Sequence, residues 1–368
     1  MTTLEEFRGL FPALERYVWL NSPTAPPAAR PVYETVQAVQ AEWLEGKMDW
    51  HAWEEHAFAS RPLFASLIGA EADDIALESS VSSAAATVAA SLPPGRVVVG
   101  APEFRSNLFP WLALRDRGFE VVELPANEHG VVPTDAMLAE ITDGTVLVAL
   151  SSVQSSNGYR ARLDDVVERT HAVGGRVFVD ACQSLGALRL DVRATPVDYV
   201  STHGYKWLLS PRGAAWFYVR PERLEETRVL VPSWRSVDDP YADYYGGPME
   251  LSKTARKHDA SLAWFSWPGA RAALELLASL DAGEVERRCL ELAAAFREGA
   301  AARGFAAVPE ELPSQIVGIE VPDPGALIER LRERRVVAAV RGGFLRVGFH
   351  AFNDRTDVET ALDALGSA

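Results

Sequence analysis

Short, continuously apolar, β-branched runs alternate with helical patterns through the middle of the chain. That alternation predicts an α/β fold, a mainly parallel central sheet with helices on both faces. Past about residue 250 the pattern changes to long alanine- and leucine-rich helices with isolated strands, which predicts a smaller α+β C-terminal domain. A length of 368 residues suffices for both and for a large core.

The elements follow in order. Residues 96–99 read as a strand, 107–117 as a helix, 120–124 and 146–150 as strands. Residues 164–173 read as a helix, stopped by Gly174-Gly175. Residues 176–180 form another strand, and 214–219 a further buried one. Beyond the change of pattern come helices at 268–280 and 285–303, a strand at 315–321, a helix at 324–333, a strand at 344–349 and a last helix at 356–365. Gly246-Gly247-Pro248 and the polar run 252–259 mark the junction. The expected division is an N-terminal segment, 1–20, packing with the small domain, a large domain, 21–250, and a small domain, 251–368.

Composition narrows the function classes. Hydrophobic residues make up 48% and charged residues 24%, ordinary for a globular chain. The formal charge of −15, with no block of lysines or arginines, argues against nucleic acid or an anionic membrane as partner. No apolar run approaches the roughly 20 residues that span a bilayer. The first residues carry two adjacent glutamates, Glu5 and Glu6, and no signal-peptide pattern. Cys182 and Cys289 are the only cysteines and lie far apart, so a reduced, cytoplasmic enzyme is expected.

Chemistry concentrates at strand ends, where open α/β sheets bind ligands. Asp180 ends one buried run, and 26 positions later (206 − 180) Lys206 follows in His203-Gly204-Tyr205-Lys206-Trp207. A lysine amine that forms a Schiff base, with an aspartate that keeps a pyridine nitrogen protonated, is the pair pyridoxal 5′-phosphate (PLP) requires. Ser79 to Ser83 run from a short strand into an alanine-rich helix, whose amides and hydroxyls suit a phosphate; an ordinary serine N-cap is the plainer alternative. Gln183, three residues after Asp180, can reach the ring oxygen, and Ser155 or Asn157 can do the same job. Phe104 follows another strand end and suits stacking on a pyridine ring, or plain core packing. Arg346 sits inside an apolar strand and needs an anion, either a substrate carboxylate or an internal salt-bridge partner. His51 and His56 are five apart, so their rings diverge by about 140° on a helix, and no metal is assigned.

These residues together resemble the class V aminotransferase family, which includes cysteine desulfurases, kynureninases and isopenicillin N epimerase-like proteins. The resemblance runs from Tyr17-Val18-Trp19-Leu20-Asn21 through Ser82-Ser83, Asp180-Ala181-Cys182-Gln183 and Tyr205-Lys206-Trp207-Leu208 to Leu345-Arg346-Val347-Gly348. It implies a fold type I PLP-dependent transferase, a homodimer with its active site at the subunit boundary. It implies Lys206 as Schiff-base lysine and proton shuttle, with Asp180 on the pyridine nitrogen and Gln183 on the ring oxygen. Ser82, Ser83, His203 and Tyr205 would hold the phosphate, Ser261 would reach the partner's phosphate, and Arg346 with Asn21 would bind substrate. Many members stack a histidine where this chain has Phe104, which removes one possible acid. Desulfurases carry a nucleophilic cysteine shortly before the substrate arginine; residues 334–345 contain none, so a cysteine-nucleophile desulfurase is not expected. The expected activity is transamination or β-elimination (C–S lyase type) on a small α-amino acid or derivative, with amino-acid epimerisation as the alternative and a non-catalytic binding protein behind it.

Overall fold

The computed structural model describes residues 2–321 and 323–366. The chain opens with α1 (Leu4–Gly9), β1 (Val18–Trp19), α2 (Arg30–Leu44) and α3 (Trp50–Ile68). It continues through β2 (Ile75–Glu78), α4 (Val81–Ser91), β3 (Arg96–Gly100), α5 (Phe109–Leu112), β4 (Glu120–Leu124), α6 (Thr134–Glu140), β5 (Thr145–Ser151) and α7 (Leu163–Ala172). Then come β6 (Arg176–Asp180), β7 (Tyr199–His203), β8 (Ala215–Val219), α8 (Trp267–Ala278) and α9 (Ala282–Ala301). The last elements are β9 (Ile316–Glu320), α10 (Pro324–Glu333), β10 (Val336–Val337), β11 (Ala339–Arg341), β12 (Phe344–Gly348) and α11 (Arg355–Leu365).

Seven strands form the large sheet in the order β2-β8-β7-β6-β5-β3-β4. The five strands from β7 to β4 run parallel, and β6 and β8 are buried along nearly their whole length. Helices cover both faces, which is why these runs are apolar throughout rather than alternating. Parallel order sends the carboxyl ends of β3, β5, β6 and β7 to one edge of the sheet. The register sets Ser151 beside Asp180 and Asp180 beside Ser201. A separate core gathers β9, β12, α9, α10 and α11 around Phe296, Ile319, Leu345 and Leu365. There β9, β11 and β12 pair antiparallel, while β1 pairs parallel with β10.

Three features depart from the sequence reading. Strand β8 is antiparallel to both neighbours, because the chain returns after the lysine loop without a crossover helix. The helix expected at 107–117 breaks into the short α5 between 3-10 turns; Pro110 lacks the donor that would continue it. Strand β7, which delivers the lysine, was not expected, because its polar residues Ser201, Thr202 and His203 mask a buried run.

Two buried polar contacts fasten the frame around the sheet edge. Arg61 of α3 pairs with Asp259 (Nη2–Oδ2 2.7 Å), and Asp259 also accepts from the Leu77 amide of β2 at 2.8 Å. Desolvation raises the Asp259 carboxyl, and Arg61 opposes that rise. At the other contact, Ala351 N–H donates to His350 Nδ1 at 2.7 Å, so Nε2 carries the proton that goes to Trp207 O at 2.9 Å. Burial pulls this imidazole down to about 4.

Asp259→Ala should cost about 3–5 kcal/mol, since it strands the buried Arg61 charge; chemical denaturation reads the loss. His350 has a depressed native pKa, so its contribution is complete above the unfolded value of about 6.5 and is lost as pH falls toward the native one. Burial likewise pulls down His203 and His258, so wild-type stability should fall with acid. In His350→Gln the slope of stability against pH between 7 and 5 should be shallower by about one proton, worth about 2 kcal/mol over that range.

Candidate active site

Asp180 ends β6 with its carboxylate turned into the crevice. Its Oδ1 accepts from the Cys182 amide at 2.9 Å, and the group is buried. One strand over, β7 ends at His203 and the chain folds into a tight loop carrying Lys206. That loop is held at several points. Ser210 N donates to Gly204 O at 3.0 Å and Leu209 N to Lys206 O at 3.0 Å. Leu209 sits at φ 60°, a left-handed conformation that costs a leucine about 1–2 kcal/mol and persists only where surroundings enforce it. Gly186 lies so close beneath that a Cβ there would stand 2.2 Å from Trp207 O. Trp207 Nε1 donates to Gln183 Oε1 at 2.8 Å.

The held loop points Lys206 into a cavity lined by Val81, Phe104, Ser106, Ser151, Ser155, Asp180, Cys182, Gln183, His203 and Tyr205. Lys206 is 8% exposed and makes no hydrogen bond or ion pair among the described residues, and Asp180 has no cationic partner there either. Two buried, opposite charges thus share one cavity without pairing. Burial of that kind without compensation is costly, and a group bridging the two relieves it. Of the other lysines, Lys47 and Lys253 are exposed, and Lys257 donates to Leu224 O and Thr227 O.

Phe104 is half exposed, not core, and its ring centroid lies 5.6 Å from Lys206 Nζ. Beneath it Glu103 is buried. It accepts from Ser151 N at 2.8 Å and Asn107 Nδ2 at 3.0 Å, and from Ser151 Oγ and Gln154 Nε2. Burial pushes its carboxyl up to about 7 against those donors. Burial pulls His203 down to about 4, despite Asp180, so its ring is neutral at pH 7. Burial also pushes the Cys182 thiol up, with Asp180 adding to the effect.

Gln183, expected at the ring oxygen, has both ends of its amide bonded within the protein. Its Nε2 donates to Pro23 O at 3.0 Å and Ser155 Oγ at 2.9 Å, while its Oε1 accepts from Trp207. The Ser155 hydroxyl, accepting from Gln183, keeps its own proton to donate. Asn157, the other candidate, is committed to Gly130 O and Tyr159 N at 3.0 Å each.

Ser83, expected at the phosphate, has its hydroxyl bonded elsewhere. Its hydroxyl donates to Glu78 Oε2 at 2.8 Å and faces a separate cavity with Glu78, Thr87 and His258. The start of α4 is capped by Ser80 Oγ, which accepts from Ser83 N at 3.2 Å. The first-turn amides ahead of it, at Val81 and Ser82, have no acceptor within the helix, and Val81 lines the Lys206 cavity. Ser261 is exposed and lines no part of that cavity.

Arg346 of β12 is 2% exposed and has no carboxylate partner among the described residues. It donates to Thr24 Oγ1 at 2.7 Å, to Ser155 O and weakly to Ser155 Oγ, and its Nε is unpartnered. Burial, with Arg341 nearby, pulls it down to about 9. Asn21 pairs with Gly348 two positions along β12, and its Oδ1 is buried without a donor. A buried cation lacking an anion and an orphaned amide oxygen fit the carboxylate and amine of an amino acid. Sequence reasoning missed Ser106 as a lining residue and Thr24 as the partner of Arg346. Thr24 meets Arg346 across 322 positions, and no local pattern announces such a contact.

The Aminotransferase class-V family model matches residues 46–323, more than half of the chain. An uncharacterized aminotransferase, YcbU, of Bacillus subtilis (strain 168) is 28% identical, covering 99% of this chain and 97% of that protein. Isopenicillin N epimerase of Streptomyces clavuligerus is 28% identical, covering 98% and 97%. Among solved structures, a cysteine desulfurase from Thermococcus onnurineus NA1 superposes with a TM-score of 0.84 at 19% identity, covering 99% and 97%. That likeness shows the fold alone, and because a desulfurase carries it, the fold does not exclude desulfurase chemistry. The chain belongs to the class-V aminotransferase family, and its cofactor is PLP.

Proposed function

We propose that this class-V aminotransferase-family enzyme uses Lys206 to hold PLP and to move the α-proton of an α-amino acid. The observation that carries the reading is the unpaired Lys206 and Asp180 on neighbouring strand ends. Bound there, the cofactor supplies an aldehyde for covalent attachment and a ring that withdraws electrons. Asp180 keeps the pyridine nitrogen protonated. Phe104 covers one face of the ring, and the Ser155 hydroxyl, oriented by Gln183, serves the ring oxygen. The amides of Val81 and Ser82, with His203 and Tyr205, hold the phosphate. Ser261, exposed and away from its own cavity, would serve a second copy's phosphate, so the active form is a homodimer. Arg346 takes the substrate carboxylate as a fork, and Asn21 Oδ1 faces the amine. The cofactor-holding part is 21–250, and the compartment is the cytoplasm.

Lys206 Nζ would take the α-proton; transamination would follow if it delivered that proton to the cofactor's former aldehyde carbon and water released the keto acid, and elimination if a β-substituent left with its bonding electron pair. The reaction needs no cysteine nucleophile. Cys182 is held by the His203 amide at 3.2 Å and pushed toward the thiol, and Cys289 is buried in α9. Full-length likeness to an epimerase favours epimerisation as the second reading. Against it, Phe104 offers no proton-carrying group on the face it covers.

Lys206→Ala should lower turnover by about 10³-fold or more and abolish the visible cofactor band; an active variant contradicts the assignment. Arg346→Leu should raise KM at least tenfold with a smaller change in kcat. A panel of amino acids added without keto acid should bleach the wild-type band stoichiometrically if transamination is the outcome, and leave it standing while substrate disappears if elimination is.

A further inference from the structure

Beside the Lys206 cavity lies a larger one of about 620 Å³ between the 24–36 segment and the loop after the lysine. The two share Tyr205, and Thr24, which lines the larger one, holds Arg346. A substrate with its carboxylate on Arg346 and its α-carbon at Lys206 would lie beside Thr24 and Tyr205, the residues that border the larger cavity. The space beyond is within the range of about 300–1,000 Å³ typical of sites for drug-sized ligands. A methyl or thiol side chain would leave nearly all of it empty.

Its walls are apolar, from Ala28, Val32, Val36 and Leu209, while Arg212 and Tyr33 stand at the solvent side. Gly269 of α8 keeps α2 and the lysine loop close, since a Cβ there would stand 2.6 Å from Pro211 and 2.8 Å from Val36. Arg212 lies 5.4 Å from the Tyr205 ring centroid and has no carboxylate partner among the described residues. Tyr33 OH accepts from Gln37 Nε2 at 2.6 Å and so keeps its own proton to donate.

Resting on the function proposed above, the geometry points to a substrate larger than a simple small amino acid. It is an α-amino acid whose bulky, mainly apolar side group ends in a carboxylate held by Arg212 and Tyr33. Binding in this cavity, remote from the reacting bond, orients that bond against Lys206.

The test uses cofactor-loaded protein and two probes without an α-proton, which bind but cannot react: α-methyl-4-carboxyphenylalanine and 2-aminoisobutyrate. Calorimetric Kd values should favour the large probe at least tenfold. Ala28→Trp, an exposed loop position, should erase that preference and leave 2-aminoisobutyrate within twofold. Arg212→Leu should erase the preference for the carboxylate over its 4-carboxamide analogue. Equal affinities in the wild type, or an Ala28→Trp protein that still prefers the large probe, overturns the inference alone. A dimer-to-monomer shift in Ala28→Trp with unchanged affinities gives the cavity to a second copy and overturns it too. Wild-type protein without a cofactor band, or blind to both probes, overturns the proposed function and this inference with it.

Discussion

A buried lysine and a buried aspartate that face one cavity without touching set the terms for everything around them. In a relaxed protein the two would pair or leave for solvent, because an uncompensated buried charge costs several kcal/mol. Here the parallel register fixes the ends of β6 and β7 side by side, and the loop after β7 decides where the amine goes. The backbone register thus brings both charges to one cavity.

That backbone is held from three directions. Gly186 admits the Trp207 carbonyl from below, the Trp207 indole is bonded to Gln183, and His350, just past β12, donates to the same carbonyl. Gln183 in turn orients Ser155, whose carbonyl accepts from Arg346. One chain of contacts thus joins the lysine loop, the Ser155 hydroxyl and the Arg346 guanidinium. Its members come from both cores, which ties the precision of the site to their packing. The left-handed Leu209 is the local strain this arrangement sustains.

The parallel core was legible because β3, β5 and β6 bury both faces and so read as unbroken apolar runs. Asp180 was legible for a related reason, because a charge that ends such a run stands at the ligand-binding edge, and Lys206 was legible from following it in Tyr205-Lys206-Trp207-Leu208. What escaped was settled by contacts distant in sequence. Strand β7 hid behind its polar residues, and α5 was shortened by Pro110. Ser83 looked free until its bond to Glu78 appeared, and Ser155 and Asn157 were equivalent until Gly130 and Tyr159 claimed the second. The larger cavity had no sequence signature, being a gap between the segment at 24–36 and a loop about 180 positions later.

The central claim is that Lys206, alone among the four lysines, carries the cofactor. Borohydride reduction of PLP-loaded protein followed by peptide mapping addresses it without any assumption about substrate or reaction. The account predicts one pyridoxyl group per chain, on the peptide containing Tyr205-Lys206-Trp207. A label on Lys47, Lys253 or Lys257, or a chain that takes no label, would contradict it.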